Sequence, residues 1–322
     1  MEENIEIKII DSYLNLSEDY WTELGQFYSS ILKCSTYEAI QSIKLFSFEK
    51  EFAVKWYELL AYSQEKVVGF MRVLRNPDRV TEWYTGDVHV LVGYKKQGIA
   101  TKMYSKAIDI ILEYEAAERI ITSISCRNVP SIALHEKLGF HNTKMKSVFA
   151  NFLFDEDDTL HERWLMNKYP VKDMEIHHKI LLPMWIEYMF EIGEGGSESE
   201  LMIELQKRIN ISIKNDYIYF DIIFSGNNAI GFIFYSIDGG IKDLIPPGYG
   251  YIMEIYIQPS WRKRYIAHQL ALDICKFYKE NGCEKVYLTP HEQSTEFWSK
   301  QGFTNSGLKD PDNNMCIYIK DL

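Results

Sequence analysis

Disulfide chemistry is the first thing this chain has no material for. It holds five cysteines, an odd count (Cys34, Cys126, Cys275, Cys283, Cys316), and no two of them form a CxxC pair. They read as reduced thiols in a reducing compartment, not as a disulfide or zinc framework. Long apolar runs are missing too. The longest, residues 180–186 with Pro183 inside it, falls far short of the roughly 20 residues that a membrane helix needs. Basic residues are in deficit: 35 Lys and Arg stand against 46 Asp and Glu, a net charge of −11. That balance speaks against nucleic acid, or any partner held through phosphates, and leaves room for a cation. The opening MEENIEIKII is acidic where a signal peptide is basic, so a cytoplasmic location is expected. Alanine (12) is scarce beside isoleucine (38), a bias that suggests an AT-rich bacterial genome. No GxGxxG, Walker A, HExxH or GxSxG sequence occurs. His177–His178 is the only histidine pair, reads as polar strand or loop, and has no partners at ligand spacing, so no metal site is expected.

What remains is an ordinary globular composition, 46% apolar and 25% charged, over 322 residues. At roughly 100–200 residues per domain, that length suits two domains better than one. The chain repeats itself accordingly. Residues 86–102, GDVHVLVGYKKQGIATK, align without gaps on 253–269, MEIYIQPSWRKRYIAHQ. Val88, Val90, Ile99 and Ala100 then fall on Ile255, Ile257, Ile266 and Ala267. Further on, LHEKLGF (134–140) matches FWSKQGF (297–303). Between these anchors each copy carries an amphipathic stretch and then a strand: 103–118 and 119–125 in the first, 270–281 and 284–288 in the second. Strands are also read at 65–74 and across 218–235, the latter turning at 225–228. Asn128 ahead of Val129-Pro130 marks a helix start, and Gly139 its stop. The boundary is placed near Tyr169-Pro170, after an acidic loop at 155–158 and an edge strand at 161–166, giving domains 1–170 and 171–322. GEGGSESE (193–200) lies inside the second domain and is too short for a linker.

In the first copy, a strand reaching Val92 is joined to a helix beginning near Ile99 by Tyr94-Lys95-Lys96-Gln97-Gly98. A helix start exposes unpaired N–H groups and the positive end of its dipole, and glycine lets a ligand approach the backbone, so the junction suits an anion. Lys95, Lys96 and Lys102 add to that preference, although a solvated lysine loop would read the same way. Two motifs together resemble the GNAT N-acetyltransferase superfamily. Its acetyl-CoA loop, (Q/R)xxGx(G/A), is similar to 95–100 with lysine in first place, and its NxxAIxLYEKxGF helix is similar to 128–140.

The resemblance implies an α/β (α+β) fold of two tandem GNAT-like domains, each a mixed, mostly antiparallel central sheet flanked by helices. It implies acetyl-CoA as co-substrate, with pyrophosphate on the amides of Gln97, Gly98, Ile99, Ala100 and Thr101 beside Lys95 and Lys96. It further implies pantetheine along Val90, Leu91 and Val92, and Asn128 against the cofactor arm. The family's thiolate-protonating tyrosine falls at His135, either a proton donor near its ordinary pKa of about 6.5 or a plain surface residue. A base for the amine could be Asp87, His89 or Glu82; strand alternation puts Asp87 and His89 on one face unless a bulge intervenes. Asp87 is carried forward with His135 as the catalytic pair.

The second copy departs from the pattern. Its loop is Arg262-Lys263-Arg264-Tyr265-Ile266-Ala267, with Tyr265 in place of Gly98, His291 in place of Asn128 and Trp298 in place of His135. Glu254 retains the carboxylate of Asp87. This copy is expected to bind CoA poorly or not at all, and to support the first, shape the amine pocket or drive dimerisation; a second site at Glu254 and Arg262 stays open. Tyr13, Tyr20, Trp21, Phe27 and Tyr28 crowd the N-terminal region and read more as core than as a substrate cage. An acidic, aromatic-rich chain suits a small cationic amine, with polyamines, aminoglycosides and amino sugars all consistent. The expected function is direct acetyl transfer to a primary amine in a ternary complex. A non-catalytic acyl-CoA sensor or scaffold is the alternative.

Overall fold

The computed structural model describes residues 5–12, 16–48, 55–114, 116–150, 152–172, 174–237 and 240–322. They form two compact units, Met1–Leu165 and Met166–Leu322. The division falls a few residues before 170 because Asn167–Pro170 is already paired with the second sheet, Pro170 opposite Asp221.

The first unit runs β1 (Ile5–Ile10), α1 (Glu18–Leu32), α2 (Thr36–Phe48), β2 (Trp56–Ser63), β3 (Lys66–Arg75), β4 (Glu82–Val90), α3 (Ile99–Leu112), β5 (Arg119–Ser125), α4 (Val129–Lys137), β6 (His141–Lys146), β7 (Val148–Phe149), β8 (Phe152–Leu153) and β9 (Asp158–Trp164). Its sheet, seven-stranded among the described residues, has the order β1-β2-β3-β4-β5-β9-β6, and β7 and β8 form a separate hairpin. The strand expected at 161–166 lies inside the sheet, between β5 and β6, rather than at an edge. The second unit repeats the sequence of elements: β10 (Asn167–Pro170), α5 (Met174–Glu191), α6 (Glu198–Lys214), β11 (Ile218–Ser225), β12 (Asn228–Ser236), β13 (Gly250–Ile257), α7 (Ile266–Glu280), β14 (Lys285–Leu288), α8 (Thr295–Lys300), β15 (Thr304–Lys309) and β16 (Cys316–Asp321). Its sheet order, β10-β11-β12-β13-β14-β16-β15, matches that of the first position by position. His177 and His178 lie on α5, not on a strand or loop.

Local chemistry explains the starts. Ser17 caps α1 and is followed by Glu18 and Asp19, which suit the positive end of the helix dipole. Ser197 and Glu200 close a reciprocal capping box on α6, so the Gly/Ser-rich stretch ends as a helix start. Both faces of the sheet are buried along β2 and β3, which is why those strands read as apolar runs without alternation. Leu59, Met71, Val73 and Trp83 pack against Met103, Ala107 and Ile111 of α3. Leu60, Tyr62 and Phe70 on the opposite face pack against Trp21, Leu24 and Phe27 of α1. The N-terminal aromatics are therefore core; Tyr13 lies outside the described residues.

One feature of each sheet positions the site. Every strand pair is antiparallel except β4 with β5 and β13 with β14. The parallel pairing is brief, Glu82–Tyr84 against Arg119–Ile121 in the first unit and Gly250–Tyr251 against Val286–Tyr287 in the second. Beyond those residues no strand pairs with the inner edges of β4 and β13 among the described residues.

Candidate functional site

The junction from β4 to α3 is built to leave donors open. Gly98 takes φ 76°, the left-handed region that glycine occupies at little cost, and no side chain caps the helix behind it. The N–H groups of Lys96, Gln97, Gly98, Ile99, Ala100 and Thr101 meet no backbone acceptor among the described residues, and the first amide to do so is Lys102, onto Gly98. A Cβ on Gly98 would find nothing within 4 Å, so the space over these donors is open. The side chain of Gln97 folds back onto the Gly93 carbonyl at 3.2 Å and stiffens the turn. Lys95 and Lys96 are exposed around it. Five or six aligned amides, a helix dipole and two lysines fit a pyrophosphate.

The strand expected through Val92 ends at Val90, which pairs with Gly69 on β3. Leu91 donates its N–H to the Val68 carbonyl, and Val92 opens a single 3-10 turn, Val92–Tyr94, with its side chain in solvent. Asn128 caps α4, its Oδ1 accepting the Ser131 N–H at 3.3 Å.

The bulge that would break strand alternation is present. Phe70 pairs with His89 but Arg72 pairs with Gly86, and Asp87 stands at φ 53°. Asp87 Oδ2 accepts from Arg72 Nη1 at 2.7 Å, while Oδ1 has no donor among the described residues. Arg72 also donates to the fully buried Glu58 at 2.9 and 3.2 Å, and Tyr20 Oη donates to the other Glu58 oxygen at 2.7 Å. His89 is half-buried with the edge of Tyr28 beside it, and burial holds its pKa below the ordinary imidazole value. Glu82 is occupied, accepting from Asn76 at 2.6 Å and bridging to Arg119 at 2.6 Å.

His135 is an interior residue, 2% exposed. Its Nδ1 faces the Ser131 carbonyl at 2.7 Å and its Nε2 the Tyr104 hydroxyl at 2.5 Å, while Phe140 packs edge-on against the ring. Burial pulls its pKa down to about 4. A carbonyl can only accept, so Nδ1 carries the proton and Nε2 accepts from the phenol; the imidazole is neutral in this arrangement and ties α4 to α3. The surface placement expected as one alternative is not what the fold gives His135.

The second unit keeps more of the site than its sequence suggests. Tyr265 adopts φ 59°, ψ 8°, close to the 76° and 3° of Gly98, and Lys263 at 63° follows Lys96 at 65°. The Tyr265 ring is 56% exposed, so the tyrosine holds the glycine conformation and carries its side chain into solvent. Lys263, Ile266, Ala267 and His268 have N–H groups without a backbone acceptor among the described residues. Where β13 parts from β14 there is a cleft of about 330 Å³, with Glu254, Arg262, His291 and Trp298 in its lining. Glu254 accepts from Arg208 at 2.7 Å through one oxygen, and its other oxygen is buried without a partner. Burial raises its pKa against the opposing pull of Arg208. Arg262 is held by the Ile257 carbonyl and by Glu191, at 2.7 Å each.

Arg72, Glu58 and Arg208 escaped the sequence reading. Charged residues at strand and helix positions otherwise buried were the available signal, since an unpaired buried charge is rarely kept.

The sequence profile described as the acetyltransferase (GNAT) family matches residues 13–140 and again 182–303. Over 84 residues the chain is 31% identical to an N-alpha-acetyltransferase of Saccharolobus solfataricus, covering 26% of this chain and 50% of that protein. Over 54 residues it is 35% identical to the glucosamine 6-phosphate N-acetyltransferase of Trypanosoma brucei brucei, covering 17% and 37%. The chain thus spans about half the length, or less, of these curated relatives. Among solved structures, a PaiA N-acetyltransferase from Thermoplasma acidophilum in complex with coenzyme A aligns at 22% identity and TM-score 0.36, over 49% of this chain and 98% of that one. No helix among the described residues is long and apolar enough to cross a membrane, and no cluster of metal-ligating side chains occurs among them.

Proposed function

The chain belongs to the acetyltransferase (GNAT) family, in both of its units, and on that premise we propose that it moves acetyl from acetyl-CoA to a primary amine by direct transfer in a ternary complex. The observation that carries the reading is the run of open amides from Lys96 to Thr101 beside the unpaired edge of β4. In this reading the amides of Gln97, Gly98, Ile99, Ala100 and Thr101 hold the pyrophosphate, with Lys95 and Lys96 alongside. Val90 and Leu91 offer the strand edge to the pantetheine amides, and Asn128 faces the cofactor arm. When bound, acetyl-CoA supplies a thioester carbonyl activated toward amines. An ammonium is not a nucleophile, so a base must first take its proton. Asp87 does so at Oδ1, with Arg72 fixing the carboxylate through Oδ2; the freed amine then attacks the thioester carbon, the C–S bond breaks, and the departing thiolate takes up the second proton, which the acetylated nitrogen sheds. Glu82 is engaged elsewhere, and His135 serves the interior.

The test sets charge against shape at Gly98. Asp and Asn are alike in size and both tolerate the left-handed region, but only Asp places a negative charge among the open amides. Gly98→Asp is expected to weaken acetyl-CoA binding at least tenfold in calorimetry at the same melting temperature as Gly98→Asn, whose affinity stays close to wild type. Equal affinity in all three proteins removes the loop assignment. Binding without turnover on any amine favours the sensor or scaffold reading.

A second reading is supported by Glu254: transfer in the second unit. Its carboxylate is buried at a cleft, holds one oxygen free and has a raised pKa, all of which suit a base working near neutral pH.

A further inference from the structure

A cavity of about 200 Å³ lies against the sheet of the first unit, under the β7–β8 hairpin. Its walls are aromatic: Phe149 packs 4.8 Å from Tyr84, Phe154 lies 5.6 Å from the same ring, and Phe152 meets Phe154 edge-on at 4.9 Å. Gly86 makes room for this arrangement, because a Cβ there would stand 2.6 Å from the Tyr84 ring. The polar end is Asp87 with Arg72.

Size and charge define what fits. An apolar cavity of about 150 Å³ holds benzene, and drug-sized pockets begin near 300 Å³. This one therefore takes a single ring or a branched alkyl group of that size. At its polar end Asp87 is the one carboxylate in the lining; its Oδ2 is held by Arg72 and its Oδ1 is left to accept from one ammonium. A second positive charge on the same ligand would face Arg72 and the aromatic wall, with no further carboxylate in the lining. The hairpin belongs to the first unit alone: β15 and β16 are joined by the short connection 310–315, which holds no strand.

We propose that the acceptor is a monoamine carrying one compact, ring-sized apolar group, seated with its ammonium at Asp87 Oδ1 and its apolar end among Tyr84, Phe149, Phe152 and Phe154. The inference rests on the transfer reading for the identity of the ligand as acceptor, but the fit of the cavity is measured apart from turnover. The full chain is titrated by calorimetry with 2-phenylethylamine, ethylamine and spermidine, as wild type and as Phe152→Ala. The expected result is at least tenfold tighter binding of 2-phenylethylamine than of either other amine. Phe152→Ala should erase that margin and leave the acetyl-CoA dissociation constant unchanged. Phe152 is 37% exposed, so its loss leaves the core in place. Phe154→Leu, which keeps apolar volume without the ring, repeats the comparison should Phe152→Ala fail to fold. Spermidine or ethylamine binding as tightly as 2-phenylethylamine overturns the proposal, and so does a margin that survives the loss of the phenyl wall. If 2-phenylethylamine binds as expected but is never acetylated with acetyl-CoA present, the cavity assignment stands and the transfer reading fails.

Discussion

An imidazole sealed into a protein interior makes stability depend on pH with a definite sign. His135 has its pKa lowered to about 4 by burial, against about 6.5 in an unfolded chain. Between those values the unfolded chain binds a proton that the folded one refuses, so stability falls as pH drops from about 6.5 toward 4 and is fully present above that window. The loss is up to roughly 3 kcal/mol. His89 and His161, whose pKa values burial also lowers, act in the same direction. His135→Gln, which can still accept from Tyr104 but cannot titrate, is expected to unfold with a smaller difference in melting temperature between pH 7 and pH 4.5. A variant as acid-sensitive as wild type would take His135 out of this account. Nothing in the sequence distinguished this role from a catalytic one. The motif places a side chain on α4, and which way the helix turns that side chain depends on packing against Tyr104, 31 residues away in sequence, as well as on Phe140 within the motif.

At the scale of elements, the loop-to-helix junctions show how far a backbone path outlasts its residues. Tyr265 keeps the left-handed conformation of Gly98 because β13 and α7 fix both ends of the turn. A non-glycine residue there carries roughly 1–2 kcal/mol of strain. Tyr265→Gly removes the strain, offset in part by the greater backbone freedom that glycine loses on folding. A net stabilisation of about 1 kcal/mol is expected, read from denaturant unfolding as a higher midpoint at constant slope. Tyrosine at this position reads as a conformational cost and as a ring in phosphate space; its φ of 59° lies in the left-handed region, and the residue is 56% exposed. Other elements are plainer: β5 is legible to the residue, and α4 from its Asn128 cap to the stop at Gly139, one residue past the Leu138 C-cap, since local propensity and capping chemistry decide them. The bulge at Asp87 and the β7–β8 hairpin were beyond reach, being fixed by cross-strand register and by aromatic contacts rather than by local pattern.

For the whole molecule, the question is how many ligands one chain takes. The repeat was legible because duplication leaves apolar positions at a constant offset, and both sheets share one strand order. Two loops with open amides occur among the described residues, one in each unit, so one or two acetyl-CoA molecules per chain are the stoichiometries to tell apart. The two readings separate by paired substitutions: Asp87→Asn lowers kcat at least a hundredfold if the first unit is the catalyst, as expected for loss of a general base, and Glu254→Gln does so if the second is. Calorimetric stoichiometry, with Gly98→Asp to remove the first loop, tells how many sites remain. The net charge of −11 adds a long-range attraction for an ammonium, so acceptor kcat/KM should decline with ionic strength.

The aromatic hairpin also makes this chain its own control experiment. It is inserted in one of two otherwise corresponding sheets, at a surface connection of the sort that tolerates insertion. Neither the strand order nor the amide cradle depends on it. On the proposed reading, what the protein accepts can be changed apart from how it holds the donor, and grafting residues 147–157 in place of 310–315 tests whether the second sheet then binds 2-phenylethylamine. A duplicated scaffold with one decorated copy lets selectivity drift while the chemistry stays fixed.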